Sequence, residues 1–369
     1  QRDRQRIAAG FMVIGPKVLL GNDDNRQRME IADEQLDTIG RAFLGQTLGC
    51  ARCHDHKFDP VPTADYYAMA GILTSTQVME RRYMLGQQRV MERLVGLGSK
   101  GDGDDQSYEQ YWLQRPQLKK QQQHAKSALE LLEKNDAEAF AKIVDEQRDA
   151  VADGATDTSE TTANRIKAQK SLVAKLDAAI ASPPQIPPRA MIPCDVDAPH
   201  DEHIRLAGQF DRLGEKVSRG FLQVLNGAAV EIPEGQSGRI ELSQWLTDTD
   251  AGAGQLAARV YANRVWHHLI GRGIVRTVDN FGRTGEAPSH PELLDHLAAE
   301  LIESGWSTKD LVRKIVLSRT FSMSSQHDDP AYALDPENRL LWRSHRRRLE
   351  PEALRDAMMS IAAILDLAP

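Results

Sequence analysis

Five consecutive residues, Cys50-Ala51-Arg52-Cys53-His54, restrict this chain more than any other stretch. Two thiols one turn apart, followed at once by an imidazole, form the sequence signature of covalent c-type haem attachment. The spacing lets the thiols reach two vinyl groups on one porphyrin edge while the imidazole is delivered to the iron. With only 3 Cys in 369 residues the pattern stands clear of composition, and a disulfide scaffold is excluded. Cys194 stands alone and reads as a small packing residue. The same segment carries a second reading, in which Cys50, Cys53, His54 and His56, with Asp59 close behind, hold zinc or another divalent metal without haem. Against zinc, a structural site usually takes its second ligand pair from farther along the chain. Against a redox dithiol, no βαβ pattern surrounds the motif.

On the haem reading His54 is the proximal ligand, and a sixth ligand is sought among the methionines. Met79 and Met84 are the candidates, with Met91 beyond them and Met69 inside the preceding helix. His56 is too near His54 to span both faces of one ring. It reads as a group behind the ligand or facing a substrate, free to turn toward solvent or Asp59.

At roughly 150 residues per domain, the length argues for two or three domains. Lys+Arg 46 against Asp+Glu 53 gives a net charge of −7, which removes the basic field of a nucleic-acid binder. Aromatic residues are 5% and advertise no stacking platform, and no apolar run approaches the ~20 residues of a membrane span. The chain opens at Gln1 with what reads as helix interior, so a longer parent is expected and the missing leader says nothing of location.

Apolar spacing predicts one helix over about 27–47 and a second over about 63–73 with Thr63 as N-cap. Residues 107–151 and 160–181, rich in Gln, Lys, Glu, Ala and Leu, read as a coiled αα-hairpin closed by Asp153–Ser159, with a Pro-rich linker at 182–188. Short apolar stretches from 189 to 240 suit a small β-containing unit. Helices follow over about 256–269, 291–304, 307–319 and 350–365, with capping-box patterns at Ser289–Glu292 and Ser307–Asp310. The expected fold is mainly α and multidomain: a helical unit with the motif at 1–100, a coiled arm at 101–188, and a unit at 189–369 that is β-rich at first and then helical.

Segments flanking the motif, Asp33–Gly45, Leu48–Thr63 and Asp65–Ile72, resemble the cytochrome-c-like domain of large planctomycete proteins. Ser237–Asp248, Arg259–Arg276, Asp279–Leu294, Asp335–Arg343 and Arg346–Glu350 resemble the planctomycete-specific domain that follows it there. The resemblance covers roughly 5–80 and 190–365 and treats the arm as a variable insert. Both domains are defined by sequence and lack a settled function. The resemblance implies export, a periplasmic or extracellular location and often an adjacent cytochrome domain.

In the second half Asn263, Arg264, His267, Asp279, Asn280, Arg283, Glu286 and His290 are candidates for a polar cleft taking an anionic sugar or a docking partner. Arg346–Arg348 reads as a solvated face or a partner for Glu350 and Glu352. Three functions from different classes result. The first is an exported haem c protein that passes electrons to a redox partner or adjacent cytochrome domain, linked to extracellular polysaccharide breakdown. The second is a haem-free metal-dependent enzyme, and the third a surface scaffold whose arm binds partners.

Overall fold

The segment Thr63–Thr74 offers no polar face to solvent, so it forms a stable helix only where other elements surround it. The computed structural model describes residues 1–15, 24–84, 87–225 and 231–366, with the side chains of Asp24 and of 81–92 outside the description. In it, Tyr66, Tyr67, Met69 and Ile72 of this helix are all exposed by 1% or less. The protein is mainly helical and forms two compact units that interleave in sequence. One comprises Gln1–Gly15 and Thr76–Asp195, the other Pro16–Ser75 and Val196–Pro369.

In the second unit the helix Asp24–Ile39 turns Met29, Ala32, Leu36 and Ile39 inward at the three-and-four spacing of one helical face. The expected helix over 27–47 stops earlier. At Gly40 the backbone widens into a π turn, Gly40–Leu44, which Gly45 ends at φ +57°. A Cβ at Gly40 would lie 2.7 Å from Gln46 O and 2.8 Å from Leu48 Cγ, so only glycine lets the chain fold back this tightly. Residues 21–25, Gly-Asn-Asp-Asp-Asn, which read as a polar turn in the sequence, fall mostly outside the described residues.

The same unit holds Arg239–Thr247, Gly254–Ile270, Pro291–Glu303 and Thr308–Val316. Ala262, Trp266, Ile274, Val275, Leu297, Leu301, Leu311 and Ile315 form much of its second core. Ser307 Oγ accepts from Asp310 N as the sequence pattern predicts. Ser289 does not cap: its hydroxyl donates to Ile274 O, and His290 occupies the cap position. Arg347, expected on a solvated face or as a partner for Glu350 and Glu352, donates instead to His268 O (2.8 Å) and Leu269 O (3.2 Å) and closes the end of Gly254–Ile270. Farther on, Pro351–Ile361 is helical.

In the first unit the long helix Gly101–Glu133 packs against Thr162–Ala181 as the expected hairpin. The expected tract 107–151 is broken, because Asn135 adopts φ +55° and Asp136 caps a separate helix, Ala137–Glu146, through Ala139 N. Gln169, fully buried, accepts from Ala152 N and donates to Ala125 O and Ala150 O. It thus satisfies three backbone groups where the chain reverses. At the base Asp105 and Arg189 form a buried ion pair, with the guanidinium 4.6 Å from the Tyr108 ring centroid.

The strands after 188 do not form one sheet. Arg189–Met191 pairs with Leu94–Gly96, and Cys194–Asp195 with Thr76–Gln77, both in the first unit. Glu202–Arg205 pairs with Leu213–Val217 in the second. The apolar stretch Phe221–Leu225 is no strand, and Phe221 stacks on Trp245 at 5.1 Å between centroids. Among the described residues no helix is long and apolar enough to cross a membrane.

Candidate functional site

The motif begins on the 3₁₀ turn Leu48–Arg52, anchored by Leu48 and Ala51, which are buried. That anchoring turns Cys50, Cys53 and His54 outward: all three are exposed and both thiols are free. His54 Nδ1 lies 2.8 Å from Asp55 O, so a proton on Nδ1 is held there and Nε2 is left for coordination. Gly208, at φ +69°, presses on Cys53 so closely that a Cβ there would collide with Sγ.

Of the next residues, His56 and Asp59 face inward, while Asp55 stays at the surface. Asp55 Oδ1 accepts from Thr63 N at 2.8 Å and so caps the buried helix, a task the sequence assigned to Thr63 itself. This hydrogen bond holds the Asp55 carboxyl below the usual carboxylate range. The His56 side chain is only 5% exposed and, of the directions open to it, takes the one toward Asp59 rather than solvent. Its Nδ1 accepts from Asp59 N at 2.9 Å, and Nε2 lies 3.3 Å from Thr47 Oγ1. Asp59, buried, accepts from Arg283 N at 2.7 Å through Oδ1. A Cβ at Gly282 would sit about 2.5 Å from the Asp59 carboxylate, so this loop approaches the motif only because residue 282 is glycine. Phe281 N donates to Gly45 O (2.7 Å), a second tie between the same two segments.

Behind the turn, Arg52 Nη1 donates to Asp33 Oδ2 at 2.8 Å and Tyr66 OH donates to Asp33 Oδ1. Tyr67 OH donates to Arg52 O at 2.9 Å. Burial pushes the Tyr67 phenol up to about 12, and burial with the Asp33 charge raises Tyr66 as well, so both remain donors at physiological pH. Asp33, Thr47, Tyr66 and Gly282 were not singled out from the sequence, whose spacing carries no mark of them.

The expected cleft separates into several places. Asn263 is fully buried: Nδ2 donates to Val275 O (3.0 Å) and Oδ1 accepts from Val275 N (2.9 Å), so it clamps a loop and lines no cleft. Arg264 reaches Asp279 (2.8 Å) and Arg41 O (3.1 Å), with His267 nearby. Asn280 Oδ1 accepts from Gly282 N, and Arg283 presents its backbone to Asp59. Glu286 faces Arg276 at 3.8 Å, and His290 Nδ1 lies 3.0 Å from Ser289 Oγ. Met79 belongs to the other compact unit, and the side chains of Met84 and Met91 lie outside the description. Met69 is fully buried in its helix. Among the described residues no group of three His, Cys, Asp or Glu side chains converges as a metal site would.

Burial first, and neighbouring positive charge second, holds the His267 and His345 imidazoles below their ordinary range. The folded state therefore binds fewer protons than the unfolded chain just below about pH 6.5. Their contribution is complete above that pH and is lost as pH falls through the folded values. Thermal scans between about pH 7 and 5 should show a falling Tm, and His267→Gln with His345→Gln should flatten the slope. Carboxylates held low, such as Asp55, titrate below this window, whereas burial raises the Asp65 carboxyl, whose proton uptake on acidification opposes the fall. A Tm constant across it would contradict the assignment.

Residues 1–78 match the family model described as a protein of unknown function (DUF1549), and residues 238–368 match a second so described (DUF1553). These are the planctomycete-type domain pair, both of unknown function. No curated protein and no solved structure matches the chain. The loop 280–283 and the motif segment 45–59 are thus contributed by different members of the pair, and the hydrogen bonds from Arg283 N and Phe281 N join them.

Proposed function

We propose that this chain is an exported haem c-binding protein with an electron-transfer role, and that Cys50, Cys53 and His54 hold the cofactor. The observation that supports this reading is the division of the motif into two sets. Asp55, His56 and Asp59 build the loop through hydrogen bonds to Thr63, Thr47 and Arg283, whereas Cys50, Cys53 and His54 are exposed and carry no such task. Two free thiols beside an imidazole with Nδ1 already engaged fit thioether attachment and iron ligation through Nε2. Bound there, haem c would supply one-electron chemistry. The chain's residues fix the attachment loop through the Asp33–Arg52 pair and the Asp55 cap, and its exposed edge is open to an adjacent cytochrome domain or a separate redox protein. Covalent attachment takes place outside the cytoplasmic membrane, which fits a periplasmic or extracellular location and a supply of electrons to or from polysaccharide oxidation.

The test is the absorption spectrum and intact mass of protein exported from a host with a haem-attachment system. A Soret band and a mass raised by one haem, surviving denaturation, are expected. Folded, colourless protein of unmodified mass would overturn the reading.

Paired variants separate the two imidazoles. His54→Ala should keep the added mass and lose the low-spin spectrum. His56→Ala should keep both and lower stability by about 1–3 kcal/mol, because it strips the buried Asp59 N of its acceptor. Loss of the low-spin spectrum in His56→Ala with stability unchanged would reverse the assignment.

A further inference from the structure

Beyond Gly271 the chain runs Arg272-Gly273-Ile274-Val275-Arg276 back past Trp266, and the loop Asp335–Arg343 faces it across a small cavity. That loop is fixed from within. The Asp335 carboxylate accepts from Arg339 N (2.9 Å) and Leu340 N (2.7 Å), while the Asn338 amide bonds to Arg343 O and Arg343 N. Asn338 and Leu341 adopt φ +55° and +56°, a conformation that asparagine tolerates but that leucine holds only where its surroundings impose it.

The cavity measures about 20 Å³, on the scale of one small polar group. Trp266 and Ser289 line it together with Arg272, Arg276, Arg339 and His345, and no carboxylate does. Glu337 carboxylate is engaged by Arg276 (2.9 Å) and its carbonyl by Arg272 (3.0 Å), and Asp335 is occupied by backbone N–H groups. The Arg339 guanidinium has no acceptor among the described residues. Burial and the charges of Arg272 and Arg343 hold the His345 imidazole below its usual range, in keeping with an excess of positive charge here.

We propose that this pocket binds a single oxyanion group, a carboxylate or sulfate, through Arg339 and Arg272. The cavity is too small for a sugar ring, so the body of any larger ligand lies outside, over Arg339. Arginine suits the task because its planar fork meets two oxygens at once. The site is independent of the haem reading and needs no cofactor for its test.

The intact chain is titrated with sodium sulfate or sodium glucuronate against sodium chloride at equal ionic strength, and Tm is followed. A saturable rise with either oxyanion and none with chloride is expected. A response to sulfate alone points to a free inorganic anion, and a response to glucuronate to a carboxylate borne on a sugar. In Arg339→Ala, measured against its own anion-free Tm because the Arg339 charge also acts on Asp335, the half-saturating concentration should rise at least tenfold. Arg339→Lys should recover part of the response. No saturable rise, or an unaltered titration in both Arg339→Ala and Arg272→Ala, would overturn the proposal.

Discussion

Replacing Cys50 and Cys53 together by Ala is expected to abolish covalently held haem completely. Haem stain on a denaturing gel should vanish, and the intact mass should fall to that of the unmodified chain. The effect is all-or-none because each thioether is a covalent bond, and no third thiol in the segment can replace either. The fold should hardly register the change. Both side chains are exposed and unpaired, and such surface substitutions usually shift stability by no more than about 0.5 kcal/mol. The circular dichroism of the double variant should therefore match that of the haem-free parent. Haem that survives denaturation in the double variant would sink the attachment reading.

Asn263→Ala is expected to destabilise the helical core of the second unit by about 3–5 kcal/mol, as much as truncating a large apolar side chain there. One amide satisfies both the N–H and the C=O of Val275, a residue only 2% exposed. Alanine leaves both backbone groups buried without partners, each at a cost of roughly 1–3 kcal/mol, and opens a small void beside Gly273. Urea unfolding of the intact chain followed by circular dichroism should show the loss as a lower midpoint. A loss below about 1 kcal/mol would mean that water replaces the amide and that the clamp is not structural.

What the sequence determined by itself is local. The spacing of Met29, Ala32, Leu36 and Ile39 gives a helix face, the cap at Ser307 stops another, and Cys50-Ala-Arg-Cys-His54 requires two thiols and an imidazole on one short turn. Each depends on residues within a few positions of one another, where helical periodicity and capping act. The break at Asn135-Asp136 belongs to the same class. Its signal in the sequence is an asparagine, which tolerates the left-handed region, followed by a capping aspartate.

Only the tertiary structure decided what the polar residues are for. Asp59 meets the backbone of Arg283, 224 positions away, and Asn263 meets Val275 across a loop. His56 turns inward, although its neighbour His54 turns out. The chain passes from one unit to the other after 15, 75 and 195, boundaries that composition does not mark. The physical reason is that a buried N–H or carbonyl must be satisfied by whichever side chain the packing brings to it. Residue type gives the capacity to donate or accept, and the fold alone chooses the partner.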